Sequence, residues 1–479
     1  MNYSWSLTPQ IPHWAKLRFA LVFLLLGALI GCYDFAKPSN ELKRILLEDK
    51  IVIATEYGAN SYYLQNDQPS GFEYELAKGF ADFIGVTLEI KPYYSDANML
   101  KDLHNQRVDV IASQFAFSEE TLSQFTLGPA YQYYTHQVVV HRNTRSLSSL
   151  EQLNGKVYVQ RNSQQAAILQ DQLPQTDNDA LNWQQVDQYD DEELLLMVAE
   201  QKIDATIANS ALVNVMRRRY PTIKMGLDLD IATSQQWLLH PHQDDSLLGA
   251  LLEYFGQLQQ SGEFSRLIDK YFGHIREFDY VDTRAFLAAV KSDLPTYQPL
   301  FEQYAGEFTW QLLAATSYQE SHWQRNARSP TGVRGLMMLT LPTAKEVGIK
   351  SRLDPEQSIR GGAIYLRSLY NRIPARISDP DKLYFALAAY NLGLGHVEDA
   401  RILTQRKGFD PDLWVDVKQH LPLLRQKQHY QKTKYGFARG DVAVKYVENI
   451  RRYHDSLMYI SQQNSTENQL EEEDIDEKE

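Results

Sequence analysis

The stretch AATSYQESHW, Ala314 to Trp323, has the small and apolar spacing of a buried helix, yet it sets a glutamate, Glu320, close to where that helix should end. A carboxylate on a packed helix is costly unless it is paired, exposed or used. Its neighbours in sequence offer little pairing: between Glu320 and Glu346 there is no Asp or Glu. Outward from it, helix-like segments follow one another: TRAFLAAVKSDL, LPTAKEVGI, PEQSIRGGAIYLRSLYNRI, DKLYFALAAYNLG, HVEDARILTQRKG and GDVAVKYVENIRRYHDSL. Prolines at 295, 342, 355, 374, 380, 411 and 422 mark the joints, and no strand-like alternation survives. Residues 283–458 therefore read as an all-α domain.

The first half reads differently. Short β-branched runs (KIVIATE, VTLEIKPY, VDVIASQ, HQVVVHR, KVYVQR, IDATIAN) alternate with helix-like segments. That order predicts α/β units with mostly parallel sheets over residues 45–275. Charge divides the chain at the same place. Residues 33–282 carry 20 Lys and Arg against 36 Asp and Glu, a net of -16; residues 283–460 carry 25 against 17, a net of +8. Two domains of opposite sign should touch each other, and the basic one suits an acidic polymer or an anionic surface.

The segment LRFALVFLLLGALIGC places Lys16 and Arg18 before an apolar run, Phe19 to Ile30, that ends at Gly31-Cys32. This is the order of a secretory signal, and 12 apolar residues fall short of the roughly 20 that span a membrane. LIGC resembles a bacterial lipobox, which implies a signal peptide over residues 1–31, lipidation at Cys32 and a linker over 32–44. Tyr33 in place of an aspartate then implies the inner leaflet of the outer membrane, facing the periplasm. One cysteine in 479 residues excludes a disulfide framework and a Cys-based zinc site. No metal, cofactor or nucleic-acid partner is expected. Residues 461–479 are acidic, without aromatics, and read as a disordered tail.

Four patches of the helical half carry chemistry: Glu320-Ser321; the glycine-framed turn GVRGLMMLTLPTA; ALAAYNLGLG, where Tyr390-Asn391 precede helix-ending glycines; and Tyr446 in VAVKYVENI. Singly each has an ordinary reading, as a solvated glutamate, a core run or an interior tyrosine. In this order they resemble the family 1 lytic transglycosylases, whose fold is goose-type lysozyme-like and which cleave peptidoglycan glycan strands. The resemblance covers about residues 285–455. It implies Glu320 as the catalytic residue, with Ser321, Met337, Tyr390, Asn391 and Tyr446 binding or orienting substrate. Met338 stands where many relatives have glutamine, so a polar role of that side chain is lost.

Glycosidases usually need two carboxylates about 5 to 9.5 Å apart. One suffices if the substrate supplies the nucleophile: the muramoyl 6-hydroxyl attacks its own C1 and closes a 1,6-anhydro ring. A goose-type lysozyme-like hydrolase using the same glutamate, or a non-enzymatic cell-wall sensor, are the alternatives. Product mass separates the first and activity on sacculi the second.

In the first half, GFEYELAKGFADFIGVTLEI (71–90), RVDVIASQFAFSEETLSQFTLGPAY (107–131), LNGKVYVQRNS (153–163) and QKIDATIANS (201–210) resemble, in order, the amino-acid-binding type of extracellular solute-binding proteins. The resemblance implies two lobes joined by crossing strands near His136–Arg142 and Ala232–His240. Thr121 occupies the place of the arginine that holds a ligand carboxylate, and Asn209 that of the aspartate that takes its ammonium. Both charged clamps for a free amino acid are thus absent, and Arg161 is left as the loop residue that could meet an anion. A cell-wall peptide or fragment remains as the ligand class. The fold expected for the whole chain is a two-lobed α/β periplasmic domain followed by an all-α lysozyme-like domain.

Overall fold

A computed structural model describes residues 40–476 except 59–60, 66–67, 95, 173–180, 242–243, 275–279 and 330–331, and the side chains of 65, 181–182, 230, 280–281 and 463–476 are also left aside. Cys32 and the apolar run before it lie outside the described residues. Among those described, no helix is long and apolar enough to cross a membrane.

The first domain has two lobes, each with a five-stranded sheet. The first sheet runs in the order Thr87–Tyr93, Lys50–Glu56, Val110–Ile111, Leu238–Leu239, Thr126–Leu127. Its first three strands are parallel and the last two pair antiparallel. The second runs Ile223–Gln235, Gln132–His141, Ala205–Asn209, Gly155–Gln160, Leu181–Val186, parallel only across its last three strands. Lys50–Glu56 coincides with the run that predicted it. Leu181–Val186 was not anticipated, nor was Ile223–Gln235 before the expected crossing strand at Ala232, because LNWQQV and IKMGLDLDIATSQ mix glutamines, aspartates and glycine into their alternation.

The chain passes between lobes at 128–131 and 236–237, so the first crossing precedes the expected His136–Arg142, which is a strand interior of the second sheet. One carboxylate holds both crossings. Glu73, fully buried on the helix Phe72–Ile84, accepts hydrogen bonds from Tyr131 Oη (2.7 Å), Trp237 Nε1 (2.8 Å) and Gln114 Nε2. A buried carboxyl surrounded by three donors is satisfied rather than free. The expected linker over 32–44 is shorter than read. A helix starts at Glu41, capped by Asn40, and seats Ile45 in the first lobe's core.

The second domain is helical throughout, around one core that includes Phe301, Leu313, Leu366, Phe385, Trp414 and Ile450. Its central helix, Trp310–Ser321, is capped by Thr309, whose Oγ1 accepts from the Leu312 amide, and is buried on nearly every side. It packs against the helix Gly440–Asp476. That last helix corrects the disordered tail: no Gly or Pro follows Gly440, and the Glu- and Gln-rich sequence that lacks a core to bury still favours helix.

Charged residues of both signs pair across the junction of the two domains, Asp269 in the sense of their net charges and Arg266 against it. Asp269 of the first domain binds Lys418 (2.6 Å) and Arg451 (3.1 Å) of the second, and Arg266 binds Asp381 (2.6 Å). Asp269 and Arg451 are only 6% and 5% exposed at their side chains, so salt screens this pair less than it would a surface pair.

Candidate active site

The helix Trp310–Ser321 ends where the chain turns left-handed at His322 (φ 51°) and Trp323 (φ 57°). The Trp323 indole then folds back and donates to the Ala314 carbonyl at 3.0 Å, fixing the last turn that presents Glu320. Glu320 is half-buried, and Tyr446 Oη, on the helix Gly440–Asp476, donates to its Oε1 at 2.6 Å. Burial pushes the Glu320 carboxyl up to about 7, and the Tyr446 hydrogen bond opposes that shift. Among the described residues no second carboxylate contributes to it. The hydroxyls of Tyr390 and Tyr446 are both held well above their usual range, by burial first and by the nearby Glu320 charge second.

Beside the carboxylate lies the turn 335–339, held by hydrogen bonds to its backbone. The Leu336 carbonyl accepts from Ser321 Oγ (2.9 Å) and Ser317 Oγ (3.1 Å). The Met337 carbonyl accepts from Tyr390 Oη (2.8 Å), and the Met337 amide donates to Ser358 Oγ (3.2 Å). Gly335 (φ 84°) leaves no room for a side chain, since a Cβ there would lie 1.7 Å from the Arg352 carbonyl oxygen.

The structure thus brings Glu320, Ser321, Tyr390 and Tyr446 together around this turn. Ser321 and Tyr390 reach it through backbone carbonyls, not through the carboxylate. Met337 enters by its backbone only, because its side chain is fully buried against Gly362; the adjacent Met338 is the partly exposed one, in left-handed backbone (φ 44°). Asn391 is exposed at the end of its helix, and its side chain makes no hydrogen bond to another described residue. Ser317 and Ser358 were missed. Ser317 stands four residues before Ser321 on one helix face, a spacing that marks a shared partner; nothing in PEQSIRGG singles out Ser358.

The lobes of the first domain enclose a second candidate site. Glu56, Asp96, Asp190, Asp191 and Glu192 line it, with no Lys or Arg among the described lining residues. Burial pushes Glu56 up to about 7 and Asp190 to about 6. Gln114, 5% exposed, leaves its Oε1 without a partner there, and Tyr57 stacks on Tyr94 with ring centres 4.5 Å apart. The three expected ligand residues do not converge on it. Asn209 lines it, yet its side chain caps the helix Ser210–Arg219 through the Leu212 amide (2.7 Å). Thr121 lines a different cleft and bonds to Ser118 Oγ (3.0 Å), while Arg161 pairs with Asp187 on the surface (2.8 Å). The lobes themselves meet through backbone: the Ser118 amide to the Asn162 carbonyl (3.1 Å) and the Gln164 amide to the Ala116 carbonyl (2.8 Å).

Comparison with known proteins agrees with this division. Residues 50–274 match the bacterial extracellular solute-binding proteins, family 3, and residues 300–412 match the transglycosylase SLT domain. An amino acid ABC transporter substrate-binding protein from Streptococcus pneumoniae aligns with a TM-score of 0.43 and 21% identity, over 49% of this chain and 100% of its own. The membrane-bound lytic murein transglycosylase F of Photobacterium profundum is 45% identical over 93% of this chain and 87% of its own. That of Aliivibrio fischeri is 44% identical over 97% and 94%. That of Alteromonas mediterranea is 47% identical over 94% of this chain and 98% of its own, and the chain therefore belongs to the membrane-bound lytic murein transglycosylase F family.

Proposed function

We propose that this chain is a peptidoglycan lytic transglycosylase in which Glu320 serves as both general acid and general base. It cleaves the β-1,4 bond from N-acetylmuramoyl to N-acetylglucosaminyl residues. Protonated Glu320 gives its proton to the glycosidic oxygen, which leaves as the 4-hydroxyl of the glucosaminyl sugar. The substrate's acetamido oxygen stabilises the positive charge left at C1. The muramoyl O6 then bonds to C1, its proton passes to the Glu320 carboxylate, and a 1,6-anhydro ring closes with no water consumed.

The observation that carries this reading is a carboxyl held near neutrality by burial and hydrogen-bonded to Tyr446, with no second carboxylate among the described residues acting on it. A group of that pKa is poised to give and take a proton at neutral pH. Ser321, Ser317, Ser358 and Tyr390 act as positioning residues, fixing the turn beside it. Mass spectrometry of products from purified peptidoglycan tests the reading. Anhydro ends, lighter by one water than reducing ends, are expected; reducing ends would hand the reaction to water.

The acidic inter-lobe cleft suits an amine-bearing cell-wall peptide better than a free zwitterion, because it offers carboxylates and no cation for a ligand carboxylate. Calorimetry with single amino acids and with short amine-bearing peptides tests this, and micromolar binding of a neutral free amino acid would overturn it. Membrane association follows from the family; the finer reading is a lipid on Cys32 inserted in the inner leaflet of the outer membrane. Cys32→Ser should leave the protein unprocessed or release it from the membrane fraction.

A further inference from the structure

Between Arg425 and Arg439 the chain reads RQKQHYQKTKYGFAR, with five Lys and Arg and no acidic residue. Arg425 is paired with Asp441 at 2.6 Å, but Lys427, Lys432, Lys434 and Arg439 are exposed and have no carboxylate partner among the described residues. Two aromatic side chains on the same segment face water, Tyr435 at 52% and Phe437 at 54% exposure. Exposed rings among unpaired cations are costly to leave idle on a surface, and they mark interaction sites.

The segment is held in shape. Asp399, 1% exposed on the helix Leu394–Arg406, spends both carboxylate oxygens on it, accepting from the amides of Lys434 (3.0 Å) and Tyr435 (2.7 Å). A carboxylate that deeply buried is tolerated only when fully hydrogen-bonded, so the core invests a charge in fixing an exposed loop. Lys434 lies over the Tyr435 ring, 5.2 Å from its centre. At its other end the Ala438 amide returns to the Leu424 carbonyl (3.1 Å), closing the loop on the domain.

Its position links it to the Glu320 cleft. The Tyr435 ring rests on Gly395, where a Cβ would lie 2.7 Å from the ring, and Gly395 follows Tyr390-Asn391 by four residues. Gly440, one residue beyond the loop, opens the helix that carries Tyr446. The loop is thus tied at one end to the helix that follows Tyr390-Asn391 and at the other to the helix that carries Tyr446.

We infer that the segment Arg425–Arg439 is a subsite for the acidic peptide branches of the glycan strand, with Lys427, Lys432 and Lys434 meeting peptide carboxylates and Tyr435 and Phe437 covering the adjoining apolar groups. The inference rests on the reading of the Glu320 cleft as the glycan site. It makes the enzyme selective for strands that still carry peptides, and makes that selectivity sensitive to salt.

The test uses the full-length protein and its triple variant Lys427→Gln, Lys432→Gln, Lys434→Gln, all exposed positions. Cleavage is measured on peptide-bearing peptidoglycan and on strands stripped of peptides by an amidase, at low and at moderate salt. On the peptide-bearing substrate at low salt, the variant should lose about fivefold to fiftyfold in kcat/KM. The loss should be confined to that substrate and shrink as salt rises. Equal loss on both substrates, or none on either, overturns the inference. So does loss of binding to phosphatidylglycerol vesicles with cleavage unchanged, which would make the loop a membrane contact. Should the wild type cleave neither substrate, the functional reading fails. Co-sedimentation of both proteins with intact and stripped sacculi then still decides whether the loop holds the branches.

Discussion

Tyr446 Oη donates to Oε1 of Glu320 at 2.6 Å, joining two residues 126 positions apart on packed helices. The bond works against burial. Desolvation favours the neutral carboxyl, while a donor aimed at the oxygen favours the anion, and the balance leaves Glu320 at about 7. In the proposed reaction, a group there can be protonated when the glycosidic bond breaks and ionised when the 6-hydroxyl attacks.

Removing either partner should separate these effects. Glu320→Gln keeps the shape and removes the proton, so turnover should fall by at least ~10²–10⁴-fold. Tyr446→Phe removes the donor that lowers the Glu320 pKa, so that pKa should rise. Because the acid form starts the reaction, activity falls as pH rises through the pKa, and the alkaline limb of the profile should move to higher pH in the Phe variant. A limb that stays put or moves down would remove Tyr446 from this role.

The same shift makes a stability claim. The folded Glu320 carboxyl keeps its proton up to about 7, whereas an unfolded glutamate loses it near 4.3. Between those values the folded state binds the extra proton, so rising pH erodes stability across this window and the full cost is present above 7. Partial exposure trims that cost to about 1–3 kcal/mol. Glu320→Gln should therefore be more stable than wild type at pH 8 by that amount, and no more stable at pH 4. Urea unfolding at the two pH values reads the difference; the other buried carboxyls, Glu56 and Asp190 among them, are common to both proteins and cancel. A difference equal at both pH values would contradict the shift.

The sequence announced those features that depend on local pattern. The β-branched run Lys50–Glu56, the apolar periodicity of Trp310–Ser321 and the proline-marked joints are each dictated within a few residues. So was the isolation of Glu320, since an absence of acids for 25 positions is a local fact. Long-range partnerships were not legible. Glu73 looked like one more polar position on an amphipathic helix, and only the fold brings Tyr131, Trp237 and Gln114 to it. Ser358 is silent for the same reason. Thr121 and Asn209 were expected to flank one ligand, and the backbone contacts between lobes place them on different cavities.

The junction between domains should respond to a single charge. Asp269 faces Arg451 and Lys418 and feels the charge of His274, whose Nε2 in turn meets Asp455. Asp269→Asn would leave the Arg451 guanidinium buried without its counter-charge, a loss of about 3–5 kcal/mol. Because the pair is shielded, moderate salt should not mimic the substitution. Limited proteolysis should cut the Asn variant near the junction faster than wild type, and wild type at high salt should resemble wild type at low salt. Equal susceptibility of the two proteins would reduce Asp269 to a surface contact.

The turn beside Glu320 offers a test of how much its shape matters, because its Gly335 and the preceding Gly332 differ in one respect. Gly332 and Gly335 both have left-handed backbone, at φ 90° and 84°, so an alanine strains either by about 1 kcal/mol. Around Gly332 a Cβ meets nothing within 4 Å, whereas at Gly335 it would lie 1.7 Å from the Arg352 carbonyl oxygen and 3.0 Å from Ser358 Oγ. Backbone cannot yield as a side-chain tip does, so Gly335→Ala should push the turn away from Ser358 and disturb the carbonyls that hold Ser321 and Tyr390. We expect Gly332→Ala to cost about 1 kcal/mol with turnover nearly intact. Gly335→Ala should cost about 3 kcal/mol or more and reduce turnover by an order of magnitude or greater. Ser358→Ala, which removes one hydrogen bond to the Met337 amide without a clash, should fall between them at about 1–2 kcal/mol. Thermal melts together with turnover on peptidoglycan rank the three, and a Gly335→Ala protein as active as Gly332→Ala would mean that the turn tolerates displacement without disturbing Glu320.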